Sequence, residues 1–244
     1  MYEFTVNQNG GEESFLKLNQ FYASDAIKDN IASQIDAMID QQAGGDNYVP
    51  TNTESPSSNL DQAAIQAVLG DAHYFGNMNA KIVILEYSDL LCPFCQRHYN
   101  DQTIETVVAN HPDEVALVFK NFPLPSLHPT APLGAKGLYC AGKLGGDEAY
   151  YNFLPKAVAA YDFTDTSVVE IAKTIGLNEA AFTDCYQSAE ASSAVDASIN
   201  EGSALFGING TPGNVVLNRE TGEFIVISGA YPVSEFENAV SQLL

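Results

Sequence analysis

The chain has 244 residues, of which 45% are hydrophobic and 17% charged, so a sizeable core is available and wholesale disorder is excluded. Its 31 acids and 10 bases give a formal net charge of −21. Such a surface repels phosphate backbones and anionic lipid, which argues against nucleic-acid and membrane-surface binding.

Residues 1–70 hold 10 acids and 2 bases and read as an acidic N-terminal extension. Within it Ile27, Ile31, Ile35, Met38 and Ile39 form one apolar stripe at helical spacing. A helix is therefore expected over about 24–43, with Ser24 as its N-cap and Gly44-Gly45 as its stop. The stripe must rest on something: the main domain, a second copy of the chain in a homodimer, or a neighbouring membrane anchor. Residues of about 44–60, rich in Gly, Pro, Ser, Thr and Asn, read as a flexible linker. No basic stretch followed by an apolar core marks a signal peptide, and the longest apolar runs are too short to span a bilayer as helices. The chain is expected either to be cytosolic or to owe its export to a segment outside it. The acidic excess reads as adaptation to salt.

From about residue 71 the pattern is that of a packed α/β domain. Residues 82–85 are a continuous apolar run, as in a central strand buried on both faces. Pro93 suits a first helical turn, where no amide hydrogen bond is lost, and a helix is expected over 93–110. A second strand follows at 114–121, completing a βαβ unit. Residues 130–206 read as a helical block, with helices at 130–144, 147–161 (interrupted by Pro155), 166–176 and 178–187. Strands at 214–218 and 223–228 flank the turn Arg219-Glu220-Thr221-Gly222, and a closing helix covers 232–244.

Chemistry concentrates at Cys92-Pro93-Phe94-Cys95, at the strand-to-helix junction. A cysteine at a helix N-terminus faces unpaired amides and the positive end of the dipole, which favour thiolate over thiol. Cys95, one turn deeper, is shielded and suited to resolving a mixed disulfide. Zinc wants four ligands, no second C-x-x-C exists, and His98 lies on the same helix, so no metal is expected. Of three possible pairings among the four cysteines, only Cys92 with Cys95 makes a tight local bridge, which leaves Cys140 with Cys185.

Glu86 interrupts the apolar strand six residues before Cys92. It is either a buried carboxyl with a raised pKa, serving proton transfer at Cys95, or a hydrated group at a strand edge. Gly210-Thr211-Pro212-Gly213 is a strong turn signal; a cis bond before Pro212 would bring the loop beside the cysteines and expose the Thr211 backbone to a substrate peptide. Arg97 and His98 are assigned surface roles. His128, before Pro129, is assigned to a loop or helix cap, with a supporting role near the site as the alternative. Tyr139, Tyr150, Tyr151 and Tyr161 are read as core and rim of the helical block.

The run 86–95, the segment 121–131 and Gly210-Thr211-Pro212-Gly213 ahead of a final β-β-α together resemble the DsbA-like thiol:disulfide oxidoreductases, over residues 71–244. The resemblance implies a thioredoxin fold with a helical insertion at about 130–206. It makes Cys92 the nucleophile, Cys95 the resolving thiol, Glu86 the buried acid and Thr211-Pro212 the cis-proline loop, with Pro93 and Phe94 facing substrate. Cys140 and Cys185 resemble a second, structural disulfide that some members carry. Two departures stand out: Phe94 occupies the position of the histidine of the most oxidising members, and Lys120 falls at the wrong register for the family's basic residue.

The expected function is thiol-disulfide exchange with unfolded or thiol-bearing extracytoplasmic proteins, as an oxidase, with the Cys92–Cys95 pair in place of any cofactor. A membrane redox partner would regenerate it, and the protein would be periplasmic or attached to the cell surface. The rivals are a reductase or isomerase of the same fold, and a soft-metal-binding protein using the two thiolates.

Overall fold

The computed structural model describes residues 59–244. The expected helix at 24–43, the dimer it would mediate and most of the linker lie outside the described residues.

The domain begins earlier than the composition suggested. Helix α1 (Gln62–Leu69) opens with Asp61 as N-cap, its side chain accepting from the Ala64 amide, and buries Ile65, Val68 and Leu69. These pack against Val83, Leu85, Val215 and Leu217 of the sheet, so α1 belongs to the domain and the boundary at 71 is corrected to about 59. Each such aliphatic side chain contributes about 2 kcal/mol when withdrawn from water. Just before α1, the Leu60 amide donates to the Gly222 carbonyl at 2.9 Å. A Cβ on Gly222 would stand 2.0 Å from the Leu60 carbonyl oxygen, and its φ of +80° is also one that glycine tolerates best.

The remaining elements are β1 (Phe75–Gly76), β2 (Ile82–Ser88), α2 (Pro93–Asn100), α3 (Thr103–Asn110), β3 (Val115–Asn121), α4 (Ala131–Val158), α5 (Asp165–Thr174), α6 (Glu179–Tyr186), α7 (Ala189–Phe206), β4 (Gly213–Asn218), β5 (Phe224–Ser228) and α8 (Val233–Leu243). One five-stranded sheet runs β1-β3-β2-β4-β5. β2 is central, parallel to β3 and antiparallel to β4, and every one of its residues is buried. Its alternation serves two cores: Ile82 and Ile84 face α3 and α8, whereas Val83, Leu85 and Tyr87 face α1 and Phe206.

The helix expected over 93–110 is two helices. Gln102 adopts φ 51° and ψ 40°, a left-handed conformation that ends α2 and begins α3. α4 likewise bends at Gly146, whose φ of 65° and ψ of −157° are not helical, while Pro155 is accommodated within the helix. α4–α7 form the insertion around Leu138, Phe153, Phe163, Val168 and Phe182. The Cys140–Cys185 disulfide joins α4 to α6, with Cα atoms 5.9 Å apart. Among the described residues no helix is long and apolar enough to cross a membrane.

Candidate active site

β2 ends at Ser88, and the turn Asp89-Leu90-Leu91 delivers Cys92 to the start of α2. Cys92 is the N-cap and Pro93 opens the first turn; no side chain caps the helix, which leaves its first amides free beside the Cys92 residue. The Gln96 amide donates to the Cys92 carbonyl at 2.9 Å. The Gln96 side chain reaches back to the Leu90 carbonyl at 2.9 Å and across to Ala160 at 3.2 Å, fixing the helix start against the insertion.

The Thr211–Pro212 bond is cis, and its loop stands beside the cysteines: the Cys92 sulfur lies 3.6 Å from the Thr211 carbonyl oxygen. A groove of about 220 Å³ runs along Ile208, Asn209, Gly210, Thr211, Pro212, Ser228 and Gly229. Phe94, 60% exposed, projects from the motif, with the Arg97 guanidinium 5.4 Å above its ring.

Cys92 and Cys95 are both thiols here and both largely buried. The Cys92 pKa is pushed down to about 5, first by the Cys95 thiol, against the effect of burial, and then by the Cys95 and Phe94 amides. The Cys95 thiol is pushed strongly up, first by burial and then by its neighbour's sulfur. No basic side chain takes part in either shift. The first sulfur is thus a thiolate at neutral pH and the second keeps its proton.

Glu86 is 3% exposed on the face of β2 that carries Ile84 and Ser88, in register with Phe119 and Asn214. Burial, and then the nearby Glu105, push its pKa up to about 8, and the Ser88 hydroxyl opposes the rise. Its Oε1 has no hydrogen-bond partner among the described residues. The hydrated-edge alternative therefore fails: Glu86 is a buried carboxyl, neutral over most of the physiological range. Lys120 gives it no partner. Paired with Tyr87 in the sheet, Lys120 points to the other face, bonded to the Val68 carbonyl at 2.7 Å and to Glu201 at 2.9 Å.

His98 is corrected from surface to core. It is buried against Phe236 at 5.5 Å between ring centres, and burial pushes its pKa down to about 4. Arg97 is exposed, as expected. Tyr150 and Tyr151 are core hydroxyls bonded to the Phe119 and His73 carbonyls, whereas Tyr161 is 98% exposed at the rim. A larger cleft of about 750 Å³ lies between β3, α4 and α7, remote from the C-x-x-C. Its bases Lys120, Lys143 and His73 are each paired with an acid.

Sequence reasoning overlooked Asp89, which the structure buries beside the site and joins to His128 at 2.9 Å. An acid two residues before an amide that must turn toward it is the mark of an Asx turn, and the Leu91 amide does donate to Asp89 at 2.8 Å.

The family model described as thioredoxin matches residues 69–224. Among solved structures, DsbA2 of Pseudomonas aeruginosa is 25% identical with a TM-score of 0.57, covering 71% of this chain and 94% of that one. The thiol-disulfide exchange protein alpha-DsbA2 of Wolbachia pipientis is 22% identical with a TM-score of 0.58, covering 75% and 95%. A periplasmic thioredoxin-like protein from Salmonella enterica serovar Typhimurium is 18% identical with a TM-score of 0.60, covering 76% and 98%. Over 59 residues the chain is also 39% identical to the Na(+)/H(+) antiporter NhaA 1 of Mycolicibacterium vanbaalenii, a stretch that is 24% of this chain and 9% of the antiporter. With the fold, the paired thiols and the helical insertion in place, the chain belongs to the thioredoxin family and resembles its DsbA-like thiol-disulfide oxidoreductases.

Proposed function

We propose that the protein is an extracytoplasmic dithiol oxidase that passes the Cys92–Cys95 disulfide to thiol-bearing polypeptides. The observation that carries this reading is the asymmetry of the pair: Cys92 sits at the start of α2 beside the cis-proline loop and Cys95 is buried one turn behind it, a placement that lowers the first thiol's pKa and raises the second's. A stabilised thiolate favours the reduced form of the protein, which makes its disulfide a strong oxidant.

In the forward direction a substrate thiolate attacks the Cys92 sulfur. A substrate–Cys92 bond forms, the Cys92–Cys95 bond breaks, and Cys95 leaves and takes up a proton, for which the buried Glu86 is the proposed donor. A second substrate thiolate then attacks the substrate sulfur and expels Cys92 as its stable thiolate. Two substrate thiols have become one disulfide, and the protein has gained the two electrons. The exposed Phe94 and the groove along the cis-proline loop suit an extended peptide, with the Thr211 backbone as its pairing edge. A membrane redox partner would accept the electrons and restore the disulfide. The Cys140–Cys185 bridge supports an oxidising compartment, periplasmic or at the cell surface.

Equilibration with glutathione tests the direction of flow. A potential near about −120 mV is expected, and one near about −270 mV would make the protein a reductant instead. Cys92→Ser should abolish exchange, and Cys95→Ser should accumulate mixed disulfides with substrate; an active Cys92→Ser protein would end the proposal.

A further inference from the structure

Asp89 lies three residues before the nucleophile and its side chain has no solvent exposure. A carboxylate withdrawn from water persists only where donors replace the water. Three do so here. The Leu91 amide donates to Oδ1 at 2.8 Å, and the Leu124 amide donates to Oδ2 at 2.8 Å. His128 Nδ1 meets Oδ2 at 2.9 Å, and since a carboxylate only accepts, Nδ1 carries the hydrogen.

These donors belong to two segments that flank the site. One is the turn 89–92, closed by the Cys92 amide on the Asp89 carbonyl at 3.0 Å. The other is the loop 122–130, fastened to the end of β2 by the Phe122 amide on the Ser88 carbonyl at 2.8 Å. That loop enters α4 through the Ala131 amide on the His128 carbonyl at 3.0 Å. The Asp89 carboxylate therefore stitches the nucleophile's own turn to the segment that leads into the insertion.

The leverage of this stitch follows from what stabilises Cys92. Among the described residues no cation contributes to the lowered pKa of the sulfur, which owes it to the Cys95 thiol and the Cys95 and Phe94 amides. Hydrogen bonds weaken steeply with stretch and misalignment, whereas a cation's attraction falls off gently with distance. In a site without a cation, the position of the turn decides how well the sulfur sits over the amides of α2.

We propose that the Asp89–His128 pair is a positioning device for the nucleophile, holding the 89–92 turn so that the Cys92 sulfur stays in register with the donors at the start of α2. The inference deepens the oxidoreductase reading and rests on it for its catalytic consequence. His128 touches neither sulfur nor substrate and acts only through Asp89.

The test is the ultraviolet titration of the Cys92 thiolate in reduced wild-type, His128→Ala and His128→Asn proteins, together with their equilibrium against glutathione. Asparagine returns an N–H donor close to where Nδ1 sits; alanine returns none. In His128→Ala the titration should move up by about one pH unit, about a tenfold loss of thiolate on the acid side and the worth of one amide hydrogen bond. The glutathione equilibrium should shift about tenfold toward the protein disulfide, about 30 mV. His128→Asn should recover most of both changes. An unchanged titration in folded His128→Ala overturns the proposal, as does His128→Asn matching His128→Ala, which would assign the effect to packing. Should His128→Ala not fold, Asp89→Asn carries the test, because its amide turns N–H groups toward donors; the same rise is expected, and no rise overturns the pair. The titration uses no substrate. A wild-type protein that fails to oxidise a dithiol peptide thus counts against the oxidase reading, while the titration still decides the positioning role.

Discussion

Replacing Glu86 with glutamine isolates the charge of the buried carboxyl at nearly constant volume. Its pKa rises from the ordinary 4.5 to about 8 on folding. A carboxyl raised in this way favours the folded state below its unfolded pKa, and that contribution is lost as pH climbs through the folded one. Wild-type protein should therefore lose stability relative to Glu86→Gln between pH 5 and pH 9. Linkage over that window gives at most about 4 kcal/mol, with the two proteins alike near pH 5 and the glutamine variant ahead at pH 9. The assay is urea unfolding of the disulfide-bonded forms at several pH values, so that Cys92 and Cys95 do not titrate. The buried His98 charges on unfolding in acid, but it does so equally in both proteins and cancels in the difference. A stability gap that stays flat from pH 5 to pH 9 would refute the reasoning, since Glu86 would then have a hydrated or paired environment that the orphaned Oε1 denies.

Three further outcomes are expected. Alkylation of reduced Cys92 should follow a titration centred near pH 5, and because that pKa is depressed on folding, the reduced form should gain on the oxidised form as pH rises from about 5 toward 9; a midpoint in the range of a free thiol would count against the site. Joint replacement of Cys140 and Cys185 by alanine opens a closed interval of 45 residues and should cost up to about 4 kcal/mol in denaturant unfolding, without moving the Cys92 titration; a shifted titration would show the insertion's staple reaching the site. Added salt should raise the melting temperature of a chain of net charge −21 yet leave the Cys92 titration nearly fixed, because donors in contact with the sulfur are hardly screened; a strong salt dependence would mean that distant charges govern the thiolate.

The sequence made the site's skeleton legible because the relevant signals are local. A strand of aliphatic residues broken by one acid, a proline after the first cysteine and a glycine-flanked Thr-Pro each constrain backbone over a few residues. What it concealed depends on distance along the chain or on weak local coding. α1 buries Ile65, Val68 and Leu69 at helical spacing, but it follows so closely on polar, Pro- and Ser-rich residues that composition masked the period. The break between α2 and α3 falls at Gln102, a residue type that carries no left-handed signal. His98 reads as a surface residue in the sequence because its cover, Phe236, arrives from the last helix. Asp89 finds its remaining donors at Leu124 and His128, 35 and 39 residues downstream, where no motif around the cysteines could announce them.

The three buried acids of the site form a graded set, and the gradation suggests which step feels pH. Cys92 gives up its proton near pH 5, Glu86 near 8, and Cys95 far above either. Each shift has its cause: the Cys95 thiol and then the amides at the helix mouth for the first, burial beside a second carboxyl for Glu86, and burial against a neighbouring sulfur for Cys95. On the proposed oxidase reading, attack by substrate on the Cys92–Cys95 disulfide ends with Cys95 taking up a proton, and Glu86, neutral below about 8, would be its donor. Re-oxidation runs the other way, since Cys95 must lose its proton before its sulfur can attack, and a Glu86 that is still protonated cannot accept it. The same burial that readies the carboxyl as an acid thus slows it as a base. On the proposed reading, proton delivery to Cys95 is therefore nearly level in pH up to about 8 while the rate of oxidation still follows the fraction of substrate thiolate, and proton removal from Cys95 during regeneration quickens as Glu86 ionises.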